Sequence, residues 1–210
     1  MSPIGIFGGT FDPIHYGHLR TALELLQTLR LGEVRFIPSG DPPHRGDTFA
    51  DAGLRLQMVT AAIAIEPGFT VDDCEVRRSG PSFTVDTLAA KRAEFSSTPL
   101  GLIIGMDAFL GLTGWHRWEE LLDFAHIIVA HRPGWRVPDS GPLGELVARH
   151  STENLDHIHA ELNGRIYVQA VTQLEVSSTE IRSLVRAGRD PRFLTPDVIR
   201  DVIITSGCYQ

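Results

Sequence analysis

The chain has 210 residues, 42% of them hydrophobic, with 19 Lys and Arg against 26 Asp and Glu for a formal net charge of −7 at pH 7. That is enough chain to bury a core, and a single domain over 1–210 is expected. The acidic balance argues against a general nucleic-acid binder, whose footprint is basic, and no apolar run reaches the roughly 18 residues of a membrane span.

In chain order, residues 4–8 read as a buried strand and 17–30 as a helix with Leu19, Leu23, Leu26 and Leu29 on one side. Val34–Ile37 is a second strand, ended by Pro38. A helix follows at 53–65 with Leu54, Met58, Ala61, Ala62 and Ile65 facing inward, then a strand at 69–76 and a helix from Thr84 to Phe95. The runs 100–104 and 126–130 are continuous and apolar, as fully buried parallel strands are, with a helix carrying Trp118, Leu121 and Leu122 between them. Residues 133–164, rich in Pro, Gly, Ser and His, form a variable excursion with a helix at 142–150 and a polar stretch at 151–165. Strands at 166–169 and 173–176 precede helices at 178–187 and 196–204, a small C-terminal helical part over about 178–210.

This alternation predicts an α/β, Rossmann-like, doubly wound parallel sheet with helices on both faces. In such sheets a ligand sits beyond the carboxyl ends of the strands, so the loops there hold the candidate site. Cys74 and Cys208, far apart and in no metal-ligand spacing, read as reduced thiols rather than a disulfide. The N-terminus has no basic stretch followed by an apolar one, so a cytoplasmic location is expected.

The most informative segment is Gly8-Gly9-Thr10-Phe11-Asp12-Pro13, followed by His15-Tyr16-Gly17-His18. A strand ends in two glycines, and a helix begins with two histidines three residues apart. Helix N-termini attract anions through unpaired N–H groups and the helix dipole. His15 and His18 side by side there suggest a pocket that stabilises charge on a phosphoryl group. A zinc half-site or a solvated face is the bland alternative.

Val176-Ser177-Ser178-Thr179-Glu180-Ile181-Arg182 is a second constellation, and taken alone it is a helix-capping signal. Pro42-Pro43-His44-Arg45 puts two potential cations on a loop after the second strand. Pro81-Ser82-Phe83-Thr84 opens a helix that Ser82 or Thr84 can cap. Asp107 follows a strand end, where it can meet a ribose hydroxyl or cap the next helix. Trp115, beside Gly114, is placed to stack on a ring, whereas Trp118 reads as core. His150, His157 and His159 match no zinc pattern and read as a solvated loop.

These motifs together resemble the nucleotidylyltransferase superfamily and, within it, the bacterial-type nicotinate-nucleotide adenylyltransferase family. The resemblance runs through nearly the whole chain and is least firm from about 135 to 164. It implies attack by the phosphate of nicotinate mononucleotide on the α-phosphorus of ATP, giving deamido-NAD and pyrophosphate in NAD biosynthesis. His15, His18 and Arg182 would be the catalytic groups. Gly8, Gly9, Thr10, His15, His18, Ser177, Ser178, Thr179 and Arg182 would bind ATP. Thr10, His44, Arg45, Thr84, Asp107, Trp115, His116 and Arg132 would bind the mononucleotide, with backbone N–H groups near Thr84 and His116 receiving its carboxylate. Phe83 stands where an aromatic, often Tyr, is usual, and His116 at a position that is often aromatic, where a backbone donor survives the substitution.

Magnesium is expected as a cofactor held mainly by ATP phosphates, with no protein ligand. The expected partners are the two nucleotides, with no nucleic acid and no membrane, and a homo-oligomer is compatible with the sequence. The alternatives are the same chemistry on nicotinamide mononucleotide or another phosphorylated acceptor, and a non-catalytic nucleotide sensor. Intact His15, His18 and Arg182 argue against the sensor.

Overall fold

The computed structural model describes residues 2–40, 48–131, 138–172 and 174–210. In chain order it has β1 (Ile4–Gly9), α1 (Tyr16–Thr28), β2 (Glu33–Pro38), α2 (Ala52–Ile63), β3 (Phe69–Val71), α3 (Cys74–Arg77), α4 (Thr84–Glu94), β4 (Leu100–Gly105) and α5 (Met106–Leu110). It continues with α6 (Leu121–Phe124), β5 (His126–His131), α7 (Gly141–His150), α8 (Leu155–Ala160), β6 (Ile166–Ala170), α9 (Ser178–Arg186) and α10 (Asp197–Ser206). The strands form one parallel sheet in the order β3-β2-β1-β4-β5-β6, so the direction of winding reverses between β1 and β4.

Alternation along each strand feeds two cores, one per face. Ile4 and Ile6, Leu100, Leu102 and Ile104, Ile127 and Val129 point to the face covered by α4, α5, α6 and α7. Val34, Phe36, Ile103 and Ile128 point to the face covered by α1, α2, α9 and α10. Glycine leaves room on this second face: a Cβ on Gly101 would stand 2.4 Å from Ile128 Cδ1. The expected sheet, with helices on both faces, is therefore the observed one.

Several boundaries differ. The strand expected over 69–76 stops at Val71, because Asp72 turns the chain by accepting the Cys74 N–H at 2.9 Å, and α3 begins there. No strand forms over 174–177, where Val176 N–H instead reaches back to Leu174 O at 2.8 Å; Gln173 lies outside the described residues. The single helix expected between β4 and β5 is four pieces, α5, two 3₁₀ turns (Leu112–Gly114 and Trp118–Glu120) and α6, since Gly111 and Gly114 interrupt it.

The inward stripe of α1 is Ala22, Leu25 and Leu29 rather than one through Leu23. On α2 it is Arg55, Met58, Val59, Ala62 and Ile63, while Ile65, past the helix end, is 92% exposed. The polar stretch 151–165 contains α8. The histidines of the excursion are not a solvated loop: His150 Nδ1 lies 2.9 Å from Gly164 O, His157 Nδ1 2.8 Å from Thr152 Oγ1, and His159 Nε2 2.9 Å from Leu29 O. Each pins a turn or helix end to its neighbour.

No helix among the described residues is long and apolar enough to cross a membrane. Both cysteines are free thiols, and burial pushes Cys74 up to about 12.

Candidate active site

The crevice between the carboxyl ends of β1 and β4 opens into a cavity of about 380 Å³. Its floor is the loop from Phe7 to Thr10, and its walls come from Leu102–Gly105, from Ser82–Thr84 ahead of α4, and from Trp115 and His116. A Cβ on Gly8 would meet nothing within 4 Å, so this glycine contributes open space to the cavity. Gly9 is packed differently: a Cβ there would stand 2.9 Å from the Phe11 ring.

At the far wall the His116 ring lies against Phe83, with centroids 4.3 Å apart. That contact gives the His116 side chain a role the sequence left open. Thr84 is the first residue of α4, where helix geometry leaves N–H groups without intrahelical acceptors. Neither the Thr84 nor the His116 amide finds an acceptor among the described residues. Arg117 ties this loop to α4 through Asp86 at 3.3 Å.

The two histidines lie outside this cavity, beyond a shared wall. Phe7 lines the cavity, and its ring meets the His18 ring at 6.3 Å. His15 caps α1, its ring 3.7 Å from that of His18 in a stacked pair. The His15 backbone N–H donates to His18 Nδ1 at 3.3 Å. With Nδ1 accepting, a neutral His18 carries its proton on Nε2, a donor directed away from its own helix end. His15 is only 6% exposed, and burial lowers it to about 4, so it is neutral near pH 7. Its Nδ1 is buried with no hydrogen-bond partner. Gly17 serves the pair directly, since a Cβ there would stand 3.0 Å from the His15 ring.

The second motif closes against the first. Ser177 caps α9 by accepting the Glu180 N–H at 3.1 Å, so the capping reading holds for this hydroxyl. Ser178 Oγ donates to Pro13 O at 2.9 Å, and Arg182 donates to Asp12 O at 2.7 Å and to Thr179 Oγ1 at 3.1 Å. The first turn of α9 is thereby fixed on the loop that precedes the histidines.

The sequence-predicted residues thus divide into two groups. Gly8, Gly9, Thr10, Thr84, Trp115 and His116 meet at the cavity, and His15, His18, Ser177, Ser178, Thr179 and Arg182 meet beside it. Asp107 is exposed in the first turn of α5; Gly105 and Ala108 on either side of it line the cavity instead. His44, Arg45 and Arg132 lie outside the described residues.

Three further residues hold the site. Asp12 accepts the Phe49 and Ala50 N–H groups at 2.9 and 3.2 Å and the Tyr209 hydroxyl at 2.6 Å. Arg55, fully buried in α2, donates to Thr10 O at 2.8 Å and to Gly40 O at 3.0 Å. Burial lowers its pKa, and the neighbouring Asp12 charge opposes that. Glu75, in the cavity wall, accepts from Thr87 Oγ1 at 2.6 Å, and burial raises its carboxyl. An Asp in a turn and an Arg in a helical stripe give no sequence signal of this kind; a charged residue at a core-facing period is the nearest thing to one.

No group of three or more His, Cys, Asp or Glu side chains that could hold a metal ion exists among the described residues.

Comparison with known proteins agrees with this geometry. The cytidylyltransferase-like family model matches residues 6–184. The chain is 47% identical to the probable nicotinate-nucleotide adenylyltransferase of Aeromonas hydrophila, over 99% of this chain and 97% of that one. It is 45% identical to the probable enzyme of the same name from Acidithiobacillus ferrooxidans, over 98% and 94%. Among solved structures, the nicotinic acid mononucleotide adenylyltransferase of Plasmodium falciparum complexed with NaAD shares the fold, with TM-score 0.76 and 18% identity over 100% of this chain and 98% of that one.

Proposed function

The chain belongs to the nicotinate-nucleotide adenylyltransferase family, and from that premise we propose that it transfers the adenylyl group of ATP to nicotinate mononucleotide. The mononucleotide phosphate oxygen bonds to the α-phosphorus in line, the bond from that phosphorus to the bridging oxygen breaks, and pyrophosphate leaves. The nucleophile is already ionised, so the site has to supply orientation and positive charge rather than a base.

The observation that carries this reading is the docking of the α9 first turn on the Asp12–Pro13 loop, beside the stacked histidines and one residue wall away from the cavity. On this reading the His18 Nε2–H donates to an oxygen at the α-phosphorus. His15, neutral and buried, holds the orientation of His18 and contributes a dipole rather than a full charge. Arg182, with three of its five N–H donors uncommitted among the described residues, and the α9 N-terminus take the triphosphate. Thr10 and the Gly8–Gly9 backbone border both nucleotides.

The cavity receives the pyridine ring against Trp115. The Thr84 and His116 amides, without an acceptor among the described residues, support recognition of a carboxylate over a carboxamide, because an anion accepts from both. His44, Arg45, Asp107 and Arg132 belong to the mononucleotide side by resemblance. Magnesium arrives with ATP, its ligands mostly phosphate oxygens and water. A cytoplasmic location belongs to the same proposal.

The test is steady-state pyrophosphate release with Mg-ATP, comparing nicotinate and nicotinamide mononucleotides at matched concentrations. A large preference for the acid is expected. Comparable rates would keep the adenylyl transfer and overturn the carboxylate argument, and no turnover with either would overturn the proposal.

A further inference from the structure

Phe49 is a large apolar side chain left 54% exposed, yet its backbone is among the best anchored near the site. Its N–H donates to Asp12 Oδ2 at 2.9 Å and the next N–H, that of Ala50, to Oδ1 at 3.2 Å. Two guanidinium groups lie over its ring, Arg182 at 4.6 Å and Arg186 at 5.2 Å from the centroid. The two arginines are four residues apart on α9 and so share a helix face. Like charges at that spacing repel, and the negative face of an aromatic ring offsets the repulsion.

Arg182 has other partners, the carbonyl of Asp12 and the hydroxyl of Thr179. Arg186 forms no hydrogen bond or ion pair among the described residues, and its ring contact is what locates it. Asp12 therefore holds both sides of the contact: its carboxylate fixes the strand of chain that carries the ring, and its carbonyl fixes the guanidinium above it.

We propose that Phe49 is a positioning residue for the ATP side of the site, a ring shelf that holds Arg182 and Arg186 together as a pair of cations for the triphosphate. The proposal rests on the reading of Arg182 as a triphosphate ligand. An arginine side chain loses much rotamer freedom when a ligand immobilises it, and a shelf that restricts it beforehand reduces that loss at the moment of binding. Arg186 then adds a second charge to the same anion, which the family motif ending at Arg182 does not include.

The experiment uses the full chain with Mg-ATP and compares Phe49→Leu, which keeps apolar bulk without a ring, with Phe49→Trp, which keeps a ring. For Phe49→Leu the KM for ATP should rise roughly two- to five-fold, the scale of one exposed cation–ring contact. The KM for nicotinate mononucleotide and the melting temperature should hardly move. Phe49→Trp should stay near the wild-type KM for ATP. An unchanged KM for ATP in Phe49→Leu, an equal rise for both substrates, or a Trp variant that behaves like the Leu variant would each overturn the shelf. A wild-type chain that neither binds nor turns over Mg-ATP overturns the ATP reading and the shelf with it, whereas an active wild type with an indifferent Leu variant overturns the shelf alone.

Discussion

Tyr209, next to last in the chain, donates its hydroxyl to Asp12 Oδ1 at 2.6 Å, across almost the whole sequence. Its backbone is held in the left-handed region at φ 74°, a conformation that costs a bulky residue about 1 kcal/mol or more. Burial and the adjacent Asp12 carboxylate both raise the phenol, so it remains a donor. Phe in its place keeps the packing and removes the donor. Tyr209→Phe should therefore cost about 1.5–3 kcal/mol in urea unfolding, the range for a hydrogen bond to a charged group. It should also raise the KM for ATP more than that for the mononucleotide, because Asp12 orients Arg182. A variant as stable as wild type would show that the contact does not hold the loop.

His18→Ala tests the chemistry. Loss of one donor aimed at developing charge lowers kcat by about 10²–10³. His18 is only half-buried, so the fold should tolerate the change. Near-normal turnover would sink the role given to Nε2.

His15 makes stability depend on pH with a defined sign. In the folded chain it takes a proton only near pH 4, whereas the unfolded chain takes one near 6.5. Between those values the unfolded state binds more protons, so stability is fully present above pH 6.5 and falls as pH drops toward 4. Replacing His15 with Asn, which does not titrate, should remove about 2–3 kcal/mol of the difference in unfolding free energy between pH 7.5 and pH 4.5. If wild type and variant lose stability in parallel, the histidine is not buried neutral.

Most strands and helices were legible because buried parallel strands read as continuous apolar runs and the two motifs fall at strand and helix ends. The misreadings share a cause. Arg55 faces the core, so a stripe chosen by hydropathy moved to Leu54 and Ile65. Asp72 and Gly111 break elements through local hydrogen bonding and low helix propensity that a periodicity average smooths over. At the site, the glycine, histidine and serine–threonine segments carry motif signals. Those that hold the loop, Asp12, Arg55 and Tyr209, act through single contacts between distant segments, which one sequence does not display.

Trp115 lines the cavity as a half-buried ring. Stacking on an aromatic side chain contributes about 1–3 kcal/mol per base, so Trp115→Ala should raise the KM for the mononucleotide about tenfold while the KM for ATP changes little. Trp115→Phe should recover much of the loss. An equal loss for both substrates would place the tryptophan in packing rather than recognition.

Stacking does not distinguish an acid from an amide, because both rings present the same face; the proposed reading assigns the discrimination to the Thr84 and His116 amides. Thr84 is the first residue of α4, and Phe83 before it is extended at φ −106° and ψ 133°. Proline is favoured at that first helical position and is compatible with an extended residue before it, so Thr84→Pro removes one N–H and leaves the helix intact. A hydrogen bond to a charged group contributes about 1.5–3 kcal/mol, so the ratio of kcat/KM for nicotinate over nicotinamide mononucleotide should fall by roughly 10–100-fold. Most of that fall should come from the acid, with the amide rate nearly preserved. Thr84→Val serves as the control, since it removes the hydroxyl and keeps the N–H. If Val lowers the ratio as Pro does, the side chain carries the recognition; if neither does, the carboxylate is read elsewhere in the cavity.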